Sequence, residues 1–315
     1  DSAKLATYKN LHFPPTEKTF LYCCRMSNPI KIGSQAHKEL FCQSFIASHR
    51  EYEPETLAWP ELDTETLDRL RKIPFWDEAF NTERKAGVMI NAYAQTVSDP
   101  LLREAIALQA AEEARHARLI ETLIKRYGLE TKQPPEPEIP TNIELAFIQF
   151  GFGECFDSFF AFGLFAIARQ SGFFPDAFFT IFDPIIDEEA RHIVFFVNWL
   201  AYLQVQNGRG ASLVRGIHSL WHYRGALQRR LGSFTSTKTK SPGSSKGFTA
   251  SGASSVAVNL TAELFLSTCL QENKRRMSVY DERLLRPEVM PILTSMAYRT
   301  LKFLPQRKKP SPVAV

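Results

Sequence analysis

The sequence predicts an all-α protein: a four-helix bundle over about residues 76–204, with additional N- and C-terminal helices. Three observations predict it. Four long stretches repeat their apolar residues with a helical period. They stop at turn signals, Ser98-Asp99-Pro100, Gly128, Ser171-Gly172 and Asn207-Gly208. The breaks after the first and third stretches are short, so each pair folds back as an antiparallel hairpin, and a longer connection joins the pairs.

Residues 1–35 are irregular and contain Pro14-Pro15; a short helix is expected at 36–50. Residues 51–75 are acidic and turn-rich, with a short helix at 64–72, so 1–75 form an N-terminal extension. The first long helix is placed at 76–97 and the second at 101–127, ending at Gly128, a residue type favoured just past a helix end. The segment TKQPPEPEIP (131–140) cannot be helical and reads as a stiff connector. The third helix is placed at 142–170 and the fourth at 176–204, with Pro184 a kink site near its start. Residues 205–315 hold a basic amphipathic helix at 211–231, a mobile Ser/Thr/Lys/Gly-rich loop at 233–255, and helices at about 256–280 and 288–303.

Composition narrows the class. With 44% hydrophobic and 23% charged residues, the 315-residue chain suits a soluble protein with a sizeable core. A net charge of +4 is too mild to argue for nucleic acid, and the basic stretch 299–309 reads as a solvated tail. Cys23, Cys24, Cys42, Cys155 and Cys269 are odd in number and irregular in spacing, without a CxxC, so neither a zinc knuckle nor a disulfide framework is supported. No signal pattern opens the chain, and a cytoplasmic location is expected. The sequon at Asn259 then carries no meaning. There are 25 Phe residues, many of them in 145–168, a run long enough to span a bilayer. Glu154 and Asp157 inside it would be costly at mid-membrane, so a helix buried in the bundle is expected.

The pentapeptide EEARH occurs at 112–116 and again at 188–192. Each copy contains Glu-x-x-His, and residues three apart share a helix face. Glu113 with His116, and Glu189 with His192, can each grip a metal ion. Both pairs lie within apolar stripes: Leu102, Ile106, Gln109, Ile120 and Leu123 on the second helix, and Phe182, Ile185, Phe196, Trp199 and Leu203 on the fourth. A carboxylate there is expensive unless something compensates it. Glu112 and Glu188 sit about 100° round the helix and are expected to face solvent or Arg115 and Arg191. Glu83 is the one charge on the inward stripe of the first helix, and Glu154 is the central charge on that of the third. Glu83 and Glu113 lie equally far from the reversal at Ser98, and the midpoint of Glu154 and Glu189 falls at Ser171-Gly172. Four carboxylates and two histidines are therefore expected at one level. Without a metal the carboxylates would repel one another and take up protons.

The pattern resembles the ferritin-like di-iron carboxylate superfamily, with one Glu on each of two helices and Glu-x-x-His on the other two. The resemblance covers about 77–204. It implies that Glu113 and Glu189 bridge two metals, while Glu83 with His116 and Glu154 with His192 complete the two spheres. Hard oxygens with one imidazole per metal suit two irons, with Mn/Fe or Mn/Mn as alternatives. Cys155 reads as a buried hydrophobe. Asp157 is either an acceptor for a ligand histidine N–H or an ordinary polar residue.

Three departures narrow the branch. Radical-generating reductase subunits carry Tyr where Ile120 stands, ferritins carry Tyr where Ile90 stands, and arylamine N-oxygenases carry a third His where Ile185 stands. The extra elements and the Phe-rich third helix point to an O2-dependent oxygenase or oxidase acting on a small apolar or amphipathic molecule, with an external electron donor. Phe150, Phe160, Phe165, Phe195 and Phe196 are its candidate pocket walls. A ferroxidase or iron-handling protein, and a non-catalytic metal-binding interaction protein, are the rival readings. A homodimer is allowed. The helix 211–231 either contacts a membrane peripherally or packs on the bundle with its cations outward, and the second is expected.

Overall fold

The computed structural model describes residues 30–132, 135–235 and 260–303. The described residues are helical with irregular connections, and no strand occurs among them. Residues 1–29 with Cys23 and Cys24, the predicted loop from 236 onward with Asn259, and the basic tail from 304 lie outside the described residues.

The elements are α1 (Gln35–Ala47), a 3-10 turn (Pro54–Thr56), α2 (Thr64–Arg71), α3 (Trp76–Thr96), α4 (Pro100–Tyr127), α5 (Ile143–Gln170), α6 (Asp176–Gln206), α7 (Ser212–Thr235), α8 (Ala262–Met277) and α9 (Val289–Phe303). Local chemistry sets several of the ends. Ser34, Asp63, Asp99, Asn142 and Thr261 each accept a backbone N–H of the first turn of α1, α2, α4, α5 and α8. Gly128 closes α4 in the left-handed conformation, φ 59°. Pro184 lies inside α6 without ending it. α7 runs through Thr235, a few residues into the stretch read as loop.

α3, α4, α5 and α6 form the bundle. Two apolar clusters mark its ends. One holds Tyr93, Leu102, Phe147, Phe196 and Trp199. The other holds Trp76, Ile120, Leu123, Ala168, Phe178 and Ile181. The start of α3, the end of α4, the end of α5 and the start of α6 therefore share one end, so α4 and α5 run parallel and the connection between them crosses the length of the bundle. It follows α3: the Lys132 N–H donates to Asp77 Oδ1 at 2.9 Å, and Arg84 pairs with Glu136 at 3.3 Å. Gly87 lets α3 approach α4 closely, since a Cβ there would lie 3.2 Å from the Ala114 backbone nitrogen.

The flanking helices cover this bundle. α1 lies against both α4 and α6. α8 lies on α5, where Gly163 leaves room for Cys269. Asn198 of α6 ties both flanks together: it accepts from Leu285 N–H at 2.9 Å, donates to the Leu285 carbonyl at 3.1 Å, and bonds His37 Nε2 at 3.0 Å. α5 is long and apolar enough to cross a membrane, and 61% of its most apolar window is buried inside the protein, as expected of a bundle helix. α7 differs from expectation. It meets α5 through His222 and Tyr223 against Phe152, and leaves Leu213, Ile217, Leu220 and Trp221 exposed rather than turned onto the bundle.

Candidate metal centre

A layer of ionisable side chains separates the two apolar clusters. Glu83, Glu113, His116 and Glu189 place one ligating atom each within 4.8 Å of one another. His116 Nδ1 is 3.5 Å from Glu83 Oε2, 3.7 Å from Glu113 Oε2 and 3.2 Å from Glu189 Oε1. His192 Nδ1 is 3.1 Å from Glu113 Oε1 and 3.8 Å from Glu189 Oε2. Glu113 and Glu189 thus each turn one oxygen toward either histidine, the placement a pair of bridging carboxylates needs. Glu154 is close enough to Glu189 for the two charges to act on each other, but neither Glu154 nor His192 belongs to the four-residue group. Ile90, Ile120 and Ile185 are all buried and apolar, so none adds a ligand.

The group Glu83, Glu113, His116 and Glu189 could hold a metal ion by its donor set, and the surrounding layer agrees by what it lacks. Nδ1 of His116, Nδ1 of His192 and Glu189 Oε2 are buried without a hydrogen-bond partner. Buried polar atoms are rarely left so. The charge balance agrees. Burial, reinforced by Glu113 and Glu189 and opposed by His116, pushes the Glu83 carboxyl up to about 8. Burial, then Glu189 and Glu113, pushes Glu154 well above the carboxylate range. Burial also opposes charge on Glu113 and Glu189, but the histidines outweigh it: Glu113 is held at about 2 and Glu189 well below its ordinary value. His116 and His192 are raised well above theirs, because the surrounding carboxylates outweigh burial. The buried layer thus draws positive charge toward it, which protons or a metal ion can supply.

Sequence reading placed Glu112 and Glu188 toward solvent or toward Arg115 and Arg191. The structure bears out the arginines, overturns solvent, and adds the two histidines. Both are buried, at 0% and 2% exposure, and each serves the other copy of the pentapeptide. Glu188 bonds His116 Nε2 at 2.8 Å and Arg115 Nη2 at 2.6 Å, and accepts from the Tyr52 hydroxyl at 3.1 Å. Glu112 bonds His192 Nε2 at 2.8 Å and also receives Arg191 and His49. A carboxylate that accepts from several donors fixes the histidine proton on Nε2, which leaves Nδ1 facing the cluster. Burial opposes charge on Glu112, but His192 and Arg191 hold its carboxyl far below the usual range. Both histidine Nε2 atoms go to Glu188 and Glu112, so neither of these bonds goes to Asp157.

The N-terminal extension completes this brace. Beyond α1, Ser48 accepts from Arg191 through its backbone carbonyl, and Tyr52 lies under the Arg115 guanidinium, 4.2 Å from ring centroid to carbon. Phe45 lies under Arg191 in the same way, at 4.9 Å. Gln109, buried beside Glu113, points its amide at Oε1 from 3.5 Å. The sequence carried a signal for Glu112 and Glu188: the repeat duplicates the outer Glu and the Arg along with Glu-x-x-His. Nothing in the sequence marked His49 or Tyr52.

Of the predicted pocket walls, Phe165 alone lines the apolar cavity near the cluster. Phe195 and Phe196 are fully packed in the far apolar cluster, and Phe150 and Phe160 pack against that cluster. Cys42, Cys155 and Cys269 are buried free thiols; burial raises the Cys155 thiol far above the usual range, as for a hydrophobe. A depression of about 780 Å³ forms a trough on the outer face of α3 and α4, lined by Gly87, Ala107, Ala111 and Ala114, and none of the six predicted ligand side chains lines it. No family model, no curated protein and no solved structure matches the chain.

Proposed function

We propose that the cluster is a di-metal centre of the ferritin-like carboxylate type and that the protein is an O2-dependent oxygenase or oxidase. The observation that carries this reading is the pair of inward Nδ1 atoms, each buried, without a hydrogen-bond partner and clamped from behind. Glu83 and His116 would hold one metal, Glu154 and His192 the other, and Glu113 with Glu189 would bridge them. Hard oxygens with one imidazole per ion suit iron in preference to zinc. Two ferrous ions so held supply the electrons and open positions for O2 activation. Hydroxylation of an organic molecule RH then balances as RH, O2, two electrons and two protons giving ROH and water, with the two electrons delivered by an external donor.

The chain's own residues account for the rest. Glu112 and Glu188 fix the tautomer and ring plane of the two histidines, and Arg115 and Arg191 hold those carboxylates in place. Gln109 sits beside the bridging Glu113 as a neutral donor. Glu83, Glu154 and Glu189 stay partly accessible while Glu113, His116 and His192 are closed off, so the open positions of the centre would face α3, α5 and α6. The apolar layers above and below exclude bulk water.

The test is rapid mixing of the reduced, iron-loaded protein with O2, with and without small apolar molecules. The proposal expects consumption of O2 and sustained turnover only when a donor and an organic molecule are both present. Rapid oxidation of added Fe(II) with no organic requirement would instead favour the ferroxidase reading. No reaction of the iron-loaded protein with O2 would remove the enzyme reading.

A further inference from the structure

Resting on that reading of the centre, we propose that a cavity between α3, α5 and α6 seats the organic substrate, and that the group it takes is neutral, apolar and about the size of one aromatic ring. Its volume is about 130 Å³, and Trp76, Ala161, Phe165, Phe178, Phe182 and Ile186 form half of its lining residues. Among all its lining residues there is no charged side chain.

Helix geometry connects it to the metal layer. Ile186 lies three residues before Glu189, about one turn or ~4.5 Å along the axis. Phe182 lies seven before Glu189, Ala161 seven after Glu154, and Trp76 seven before Glu83. A spacing of seven is two turns on the same face, about 10 Å away. The cavity therefore lies one to two helical turns along the bundle from Glu83, Glu154 and Glu189, the three carboxylates of the centre that are only partly buried. Ala161, Phe165, Phe182 and Ile186 are themselves only partly buried, which gives the cavity an opening.

Size and lining then select the occupant. The recess opens between partly buried side chains, so an apolar guest can enter it without unfolding the core. A dry apolar cavity of about 150 Å³ accepts benzene. The walls hold one another in place: Phe165 meets Phe179 edge-on at 5.3 Å, Phe178 meets Phe182 at 5.3 Å, and Phe182 stacks on Trp76 at 6.4 Å. Ring edges and faces so arranged favour an aromatic guest. A carboxylate or ammonium would enter with nothing to bond and would be rejected.

The experiment is titration of the full chain with toluene and with benzoate, followed by the Ile186 methyl resonances, with iron content measured on the same samples. Saturable toluene binding, with benzoate at least about tenfold weaker, is expected. Ala161→Phe fills the cavity and should weaken toluene at least about tenfold while iron content stays as in the wild type. Phe178→Ala enlarges it and should shift preference from toluene toward naphthalene, which keeps the test intact if the first variant does not fold. A folded wild type that ignores toluene, or binds benzoate equally well, overturns the proposal. Iron content reports separately on the metal reading, so the two failures are distinguishable.

Discussion

The brace between the two EEARH copies makes a prediction that needs no metal. Glu112 is fully buried and receives His192, Arg191 and His49. Glu112→Ala strands a guanidinium and an imidazole that are 5% and 1% exposed. Breaking a buried pair this way costs about 3–5 kcal/mol, a large part of the ~5–15 kcal/mol that holds a domain together. Glu112→Gln keeps the shape and removes the charge, so the milder loss of a charged hydrogen bond, about 1.5–3 kcal/mol, is expected. The crossed pairing is tested by double-mutant cycles in chelator-treated protein, using urea unfolding followed by far-UV circular dichroism. Glu112→Gln combined with His192→Ala should show a coupling of about 1–3 kcal/mol; combined with His116→Ala it should stay within about 0.5 kcal/mol. Glu188→Gln should give the mirror result, coupled to His116 and not to His192. Metal affinity in either Gln variant should fall about 10–100-fold. Equal coupling of Glu112 to both histidines would refute the brace.

Two further predictions concern the scaffold. A Cβ at Gly163 would stand 2.3 Å from Cys269 Sγ and 2.9 Å from its backbone nitrogen, so Gly163→Ala should cost about 1–3 kcal/mol in urea unfolding, and Cys269→Ala should recover only part of it because the backbone contact remains. Asp99 caps α4 through Leu101 and Leu102 and pairs with Lys38; partial burial works against its charge, but Lys38 and these amides hold its pKa below the ordinary 3.8. A depressed carboxylate stabilises above the unfolded value and loses that contribution as pH falls through the folded one. Asp99→Ala should therefore cost about 1–2 kcal/mol near neutral pH, and the gap to wild type should close as pH drops below 3.8; a gap that persists at lower pH would contradict the assignment.

Much of this architecture was legible in the sequence because it depends on local signals. Asp99-Pro100, Asn142 and Gly128 start and stop helices by their own chemistry, and the apolar stripes carry Glu83, Glu113, Glu154 and Glu189 inward. Equal spacing from the turns placed these groups at one level, since two antiparallel helices share one rise per residue. What stayed hidden depends on tertiary neighbours. Helical phase puts Glu112 about 100° from Glu113, but it does not tell that α1 and the segment through Tyr52 cover that side. The predicted pocket walls divide for a similar reason: Phe165 lines the apolar cavity, whereas Phe195 and Phe196 lie toward the Trp199 end and pack in the core there.

The central claim is that these six side chains hold two metal ions, and metal content tests it most directly. Protein produced in iron-replete medium, or reconstituted anaerobically, would be analysed by mass spectrometry beside a Glu113→Ala/Glu189→Ala double variant that removes both bridging groups. About two irons per chain, lost in the folded variant, is the predicted result; this stoichiometry follows from two half-sites that share bridging carboxylates. A wild type that takes up neither iron nor manganese under either condition would contradict the account.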